Sequence, residues 1–258
     1  MFQDHFSNAA SEYASFRPGY PRDFIAFVAS LPRGRRLAWD CGTGSGQAAT
    51  LLAEHFERVV ATDAAEKQIA RATPHDRVEY RVALAHESRL PPSSCDLVSV
   101  AQALHWFDLD LFYREVDRVL VPGGALAVWC YGNARVSPAI DVVLDWFYAT
   151  RVGRFWPPER RMVEEAYGSL PFPYAKIPPP QAHLRATMTR PAFVGYVGTW
   201  SAVSEARRLE KRDPLPDLER ALDEVWPATA PARDVLWPLS LHAGFKPAPT
   251  RSGETRSA

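Results

Sequence analysis

A chain of 258 residues can bury a core large enough for one α/β domain with an embellishment, and its 30 basic and 30 acidic residues leave a formal charge of zero. No overall field draws such a chain to nucleic acid or to an anionic membrane. The start, MFQDHFSNAASEY, has no basic end followed by an apolar core, and nowhere do eighteen apolar residues run together, so a cytoplasmic protein without signal peptide or membrane span is expected.

Residues 1–32 open with Phe6, Ala10 and Tyr13 at helical spacing behind Ser7, a fitting N-cap, and continue through Arg17, Pro18 and Tyr20 to a short amphipathic helix over Asp23 to Leu31. The core is expected over 33–134. Its first strand, Leu37 to Trp39, ends in Asp40, and glycines follow at 42, 44 and 46, after which Ala48, Leu51, Leu52 and Phe56 recur as in a helix. A second strand, Arg58 to Thr62, stops at Asp63; a helix from Ala65 to about Ala72 leads to a third, Val78 to Val82. Asp96 to Ala101 reads as a buried strand, and Asp108 as the cap of a helix carrying Leu111, Phe112, Val116, Val119 and Leu120. Val121-Pro122-Gly123-Gly124 turns that helix into a fifth strand, Ala125 to Tyr131.

Beyond residue 134 the pattern weakens. A helix over Pro138 to Thr150 precedes a Pro- and Arg-rich insertion, Arg151 to Pro180, read with it as a cap spanning 135–182. The stretch 183–245 returns to the core with a strand from His183 to Met188, a helix holding Val194, Val197, Trp200 and Val203, and a last strand from Val235 to His242. Residues 246–258 are expected to be disordered. Strands alternating with helices predict an α/β fold: a doubly wound, Rossmann-like, seven-stranded and mostly parallel sheet with helices on both faces.

The glycine turn carries the chemistry. Glycines let the backbone turn at little steric cost and let a ligand approach main-chain atoms, and an acid at the end of the next strand can accept both hydroxyls of a ribose. A dinucleotide fingerprint needs glycine at position 47, which is Gln. The pattern here is D-x-G-x-G-x-G, and Asp40 stands where it can meet an ammonium group rather than a pyrophosphate.

With both acids placed, the stretch from Arg36 to Asp63 resembles motif I of the class I S-adenosylmethionine-dependent methyltransferases. The run AQ-x-x-HWFD, helix, PGG, strand is similar to the small-molecule subgroup typified by trans-aconitate methyltransferase (methyltransferase type 11). The resemblance implies that Asp40, Gly42, Thr43, Gly44 and Gly46 hold the methionine end of S-adenosylmethionine, Asp63 its ribose, Ala64 one adenine face, and His86 or Glu87 the adenine edge. It places Gln102 and His105 near the transferred methyl, His105 as candidate base, and S-adenosylhomocysteine as product. The leading segment is a lid bearing Tyr13 and Arg17, or a plain docking helix. Trp106, Trp129 and Arg154 are candidates to line an acceptor site, with Arg151, Arg160 or Arg161 as alternative anchors for a carboxylate, while tryptophans in a globular chain are more often core than wall.

Enzymes of this fold that methylate base amines carry [N/D]-P-P-[Y/F/W] after strand four, where this chain reads AQALHW, and the paired glutamates of arginine methylation are missing there too. A small-molecule acceptor, an oxygen and preferably a carboxylate, is therefore expected, with no nucleic-acid or membrane partner and a monomer or homodimer. Cys41, Cys95 and Cys130 lie far apart beside predicted strands and read as core thiols; no Cys or His pair has metal-ligand spacing. Two other readings compete: a nicotinamide-dependent oxidoreductase, and a non-catalytic module that keeps the fold.

Overall fold

The computed structural model describes residues 19–248. The leading helix with Tyr13 and Arg17 therefore lies outside the described residues, as does the tail from 249. The elements, in order, are α1 (Arg22–Ser30), β1 (Leu37–Cys41), α2 (Gln47–Leu52), β2 (Arg58–Asp63), α3 (Glu66–Ile69), β3 (Val78–Val82), β4 (Cys95–Ala101), α4 (Leu109–Val119) and β5 (Leu120–Tyr131). They continue with α5 (Pro138–Trp146), α6 (Arg160–Glu164), β6 (Ala182–Met188), α7 (Arg190–Gly198), α8 (Ser201–Glu210), α9 (Leu215–Leu222) and β7 (Arg233–Phe245). The seven strands form one sheet in the order β3-β2-β1-β4-β5-β7-β6. Strands β1 to β5 pair in parallel, and β7 runs antiparallel to β6. The strand order reverses at β1, and helices cover both faces of the sheet.

The chain divides into two compact units. The first comprises Arg22–Trp129, Pro171–Pro180 and the chain from Leu241. Its strands β1 and β4 are buried almost end to end, as parallel strands covered on both faces must be. Helix α1 buries Phe24, Ile25, Val28 and Ala29, with Phe24 edge-on to Trp129 at 5.6 Å between ring centroids. Asp108 caps α4 by accepting from the Leu111 N–H at 3.1 Å, so the helix begins where the sequence placed it. Lys246 is not free coil: its N–H donates to the Gly124 carbonyl at 2.9 Å and its ammonium to the Leu120 carbonyl at 3.2 Å.

The second unit, Cys130–Leu170 with Gln181–Ser240, is built round aromatic side chains: Phe147, Phe193, Tyr196, Trp200, Trp226 and Trp237 are all buried. The indole of Trp237 donates to the Tyr196 hydroxyl at 2.8 Å, which satisfies its buried N–H. Three helices stand where one was read after β6. The chain breaks at Thr199 and Trp200, and α9 follows behind Pro214. Likewise α5 stops at Trp146 and passes into a single π-turn, Phe147–Arg151, and α3 is only one turn long.

Candidate functional site

The glycine turn closes β1 onto β2. The N–H groups of Gly42 and Thr43 both donate to the Thr62 carbonyl, at 2.8 and 3.0 Å, which bends the chain back over the end of the neighbouring strand. All three glycines have positive φ: 71° at Gly42, 56° at Gly44 and 86° at Gly46. They differ in what a side chain would meet. A Cβ at Gly42 would lie 2.5 Å from the Ala103 Cβ, and one at Gly46 would lie 2.2 Å from the Tyr80 hydroxyl, so these two are glycine for internal packing. At Gly44 a Cβ meets no atom of the described residues within 4 Å. The middle glycine is thus not required by packing against any described residue.

Two carboxylates border the turn. Asp40 is 0% exposed, and its oxygens accept from the Thr43 hydroxyl at 2.6 Å and the Ser99 hydroxyl at 2.7 Å. Burial raises its pKa from 3.8 to about 6; the two hydroxyls oppose that rise, and the charge of Asp63 adds to it. Asp63 is pinned at both oxygens, accepting from the Gly44 N–H and the Ala65 N–H at 2.9 Å each. S-adenosylmethionine carries an ammonium group and a ribose, groups whose N–H and O–H donors carboxylates such as Asp40 and Asp63 are able to accept.

The loop after β3 carries His86 and Glu87, both exposed, with Ala64 half-buried at the end of β2. What fixes that loop is a group the sequence reading missed. The carboxylate of Glu115, only 8% exposed, accepts from the Ser88 N–H at 2.9 Å and from the Ser88 hydroxyl. Arg118 grips the same carboxylate with two bonds of 2.7 Å and reaches the Leu90 carbonyl at 2.8 Å. The signal was present: Glu115 interrupts the apolar stripe of Phe112, Val116 and Val119 with a charge.

Past β4, Gln102 adopts φ 56°, a conformation that costs a non-glycine residue about 1–2 kcal/mol, while its N–H donates to the Trp129 carbonyl at 2.9 Å. A 3-10 turn, Leu104–Trp106, follows and brings the His105 and Trp106 rings to 4.8 Å. Trp129 is 0% exposed and stands edge-on to Phe24. Arg154 is bonded to Glu210 at 2.7 Å.

The chain was compared with known families and structures. The family described as "Methyltransferase domain" matches residues 39–128. A "putative methyltransferase" of Dictyostelium discoideum is 33% identical over 232 residues, covering 88% of each chain. An "uncharacterized methyltransferase" of Mycobacterium tuberculosis is 33% identical over 201 residues, covering 76% of each. The solved structure of a "putative type II methyltransferase" from Anaeromyxobacter dehalogenans superposes with a TM-score of 0.85 at 44% identity, covering 90% of this chain and 99% of the other. The turn, the two acids and these relatives agree: the chain belongs to the class I S-adenosylmethionine-dependent methyltransferases.

Proposed function

We propose that this methyltransferase acts on a small molecule, transferring the methyl group to an oxygen, with a carboxylate the favoured acceptor. The observation that carries the reading is the exit of β4. Ala101-Gln102-Ala103-Leu104-His105-Trp106 holds one strained glutamine, one histidine and an indole. It has neither the proline-turn that grips a flipped base amine nor the paired glutamates that grip a guanidinium.

When bound, S-adenosylmethionine supplies a methyl group on a positively charged leaving group, so the protein need only align, exclude water and manage any proton on the acceptor. In this reading Asp40 holds the ammonium, with its charge favoured by that cation; Asp63 holds the ribose, and Gln102 borders the methyl. A carboxylate acceptor is already ionised and asks nothing of His105 beyond position. A hydroxyl acceptor would make His105 the base, and its place in the β4 exit keeps that second reading in view. Membership of the methyltransferase family sets aside the nicotinamide alternative.

The test is mass-spectrometric detection of S-adenosylhomocysteine and methylated product over a panel of small carboxylic acids, alcohols and amines. Esters formed from acids, at a rate nearly flat from pH 6 to 8, are expected. Methylation confined to nucleic acid or protein substrates would sink the reading.

A further inference from the structure

The far arm of the glycine turn, Ser45 and Gly46, is held from outside the turn, by residues of the same unit. The Ser45 carbonyl accepts from the Thr73 N–H at 3.1 Å, and the Thr73 carbonyl accepts from the Tyr80 hydroxyl at 2.7 Å. Thr73 lies in the loop between α3 and β3, and Tyr80 is the middle residue of β3. The same phenol bars a side chain from position 46, where a Cβ would lie 2.9 Å from its ring.

Strand register explains how an edge-strand residue reaches the turn. Asp40 pairs with Ala61 and Ala61 with Tyr80, so the three stand in one row across β1, β2 and β3 and share a face of the sheet. The middle member is only an alanine, which leaves the long phenol room. Burial, with the charge of Asp40 adding to it, pushes the Tyr80 hydroxyl up to about 12, so it keeps its proton and serves as a donor at neutral pH. Thr73 is exposed, so water can replace the bond if it is lost, and little global stability depends on it. What water cannot replace is the position of the arm, and a site held ready before its ligand arrives binds more tightly than one the ligand must order. We propose that Tyr80 is a positioning residue for donor binding: through Thr73 its hydroxyl fixes Ser45 and Gly46 in the arrangement that receives S-adenosylmethionine. The proposal rests on the reading of the turn, with Asp40 and Asp63, as the donor site.

The experiment measures S-adenosylhomocysteine binding by calorimetry and amide hydrogen exchange by NMR in wild type, Tyr80→Phe and Tyr113→Phe. Tyr113 is the matched control: its hydroxyl also donates to a backbone carbonyl, that of Pro171, at 2.7 Å, but from α4. Tyr80→Phe should bind roughly threefold to tenfold more weakly and melt within about 2 °C of wild type. In its ligand-free form the amides of Gly46, which donates to the Thr43 carbonyl, and of Thr73 should exchange about fivefold faster, with those of β1 and β4 unchanged. Saturating ligand should erase that difference, because the bound donor then orders the arm itself. Tyr113→Phe should bind as wild type does. Equal binding by Tyr80→Phe and wild type, equal weakening in Tyr113→Phe, or faster exchange spread over β1 and β4 would overturn the proposal and leave the donor site where it is. Asp63→Ala, run alongside, tests the underlying reading: undiminished affinity in that variant, or no binding by wild type, would overturn the donor-site reading and the proposal with it.

Discussion

Asp40 places a carboxylate in a buried site whose neighbours are two hydroxyls and a second acid, a cost that its proposed role, holding the ammonium group of the donor, would explain. Its folded pKa of about 6 exceeds the 3.8 of the free group. The native state therefore holds an extra proton between those values, and stability falls as pH rises through the window. The penalty is absent below 3.8, fully present above about 6, and on the order of 3 kcal/mol. Asp40→Asn removes it. The Ser99 hydroxyl can turn to the Trp39 carbonyl, 3.5 Å away, and accept from the new amide. Thermal denaturation should show the ligand-free variant melting several degrees above wild type at pH 7.5, a gain that shrinks toward pH 4, while its S-adenosylhomocysteine affinity drops at least tenfold. A variant no more stable than wild type at pH 7.5 would contradict the burial account. The turn with its glycines at 42, 44 and 46 was legible in the sequence because its positive φ values leave few other residues able to stand there. Ser99 was not, since only strand pairing brings it to Asp40 across 59 positions.

At the scale of elements, helix α4 does more than cover the sheet. Burial opposes the charge of Glu115, but the hydrogen bonds of Arg118 and Ser88 outweigh it and hold the pKa below the usual 4.5. The stabilisation is therefore present above 4.5 and lost as pH falls through the lower folded value. Glu115→Ala strands the buried Ser88 donors and frees the loop bearing His86 and Glu87. With Arg118 40% exposed, the loss should be about 2–4 kcal/mol, read as a fall in melting temperature of roughly 5–15 °C. Affinity for S-adenosylhomocysteine should fall with it; a variant that melts and binds as wild type would remove Glu115 from that role. Strands and the capped helix α4 were legible from period and cap. The break between α7 and α8 was not, because the apolar spacing of Val194, Val197, Trp200 and Val203 runs straight through it. Nor was the full length of β7, which continues on both sides of the segment read, with Pro238 paired opposite His183 within it.

For the whole molecule, the unit of Arg22–Trp129 was readable because parallel strands and a glycine turn are local signals. The unit of Cys130–Leu170 and Gln181–Ser240 is held by contacts far apart in sequence: Arg151 meets Glu210 and Asp217 across 59 and 66 positions, and buried Arg190 meets Asp223 across 33. Composition shows many arginines there but not which acids take them. The ion pair of Arg154 with Glu210, 56 positions away, was therefore not legible in the sequence. The central claim is that the turn from Asp40 to Gly46, with Asp63, is the donor site of a working methyltransferase. Calorimetric titration of S-adenosylhomocysteine into wild type and Asp63→Ala, side by side, tests it most directly. One-site binding by wild type is predicted, weakened roughly tenfold to a thousandfold in the variant through loss of two charge-assisted hydrogen bonds. No binding by wild type, or equal binding by a folded variant, would contradict it.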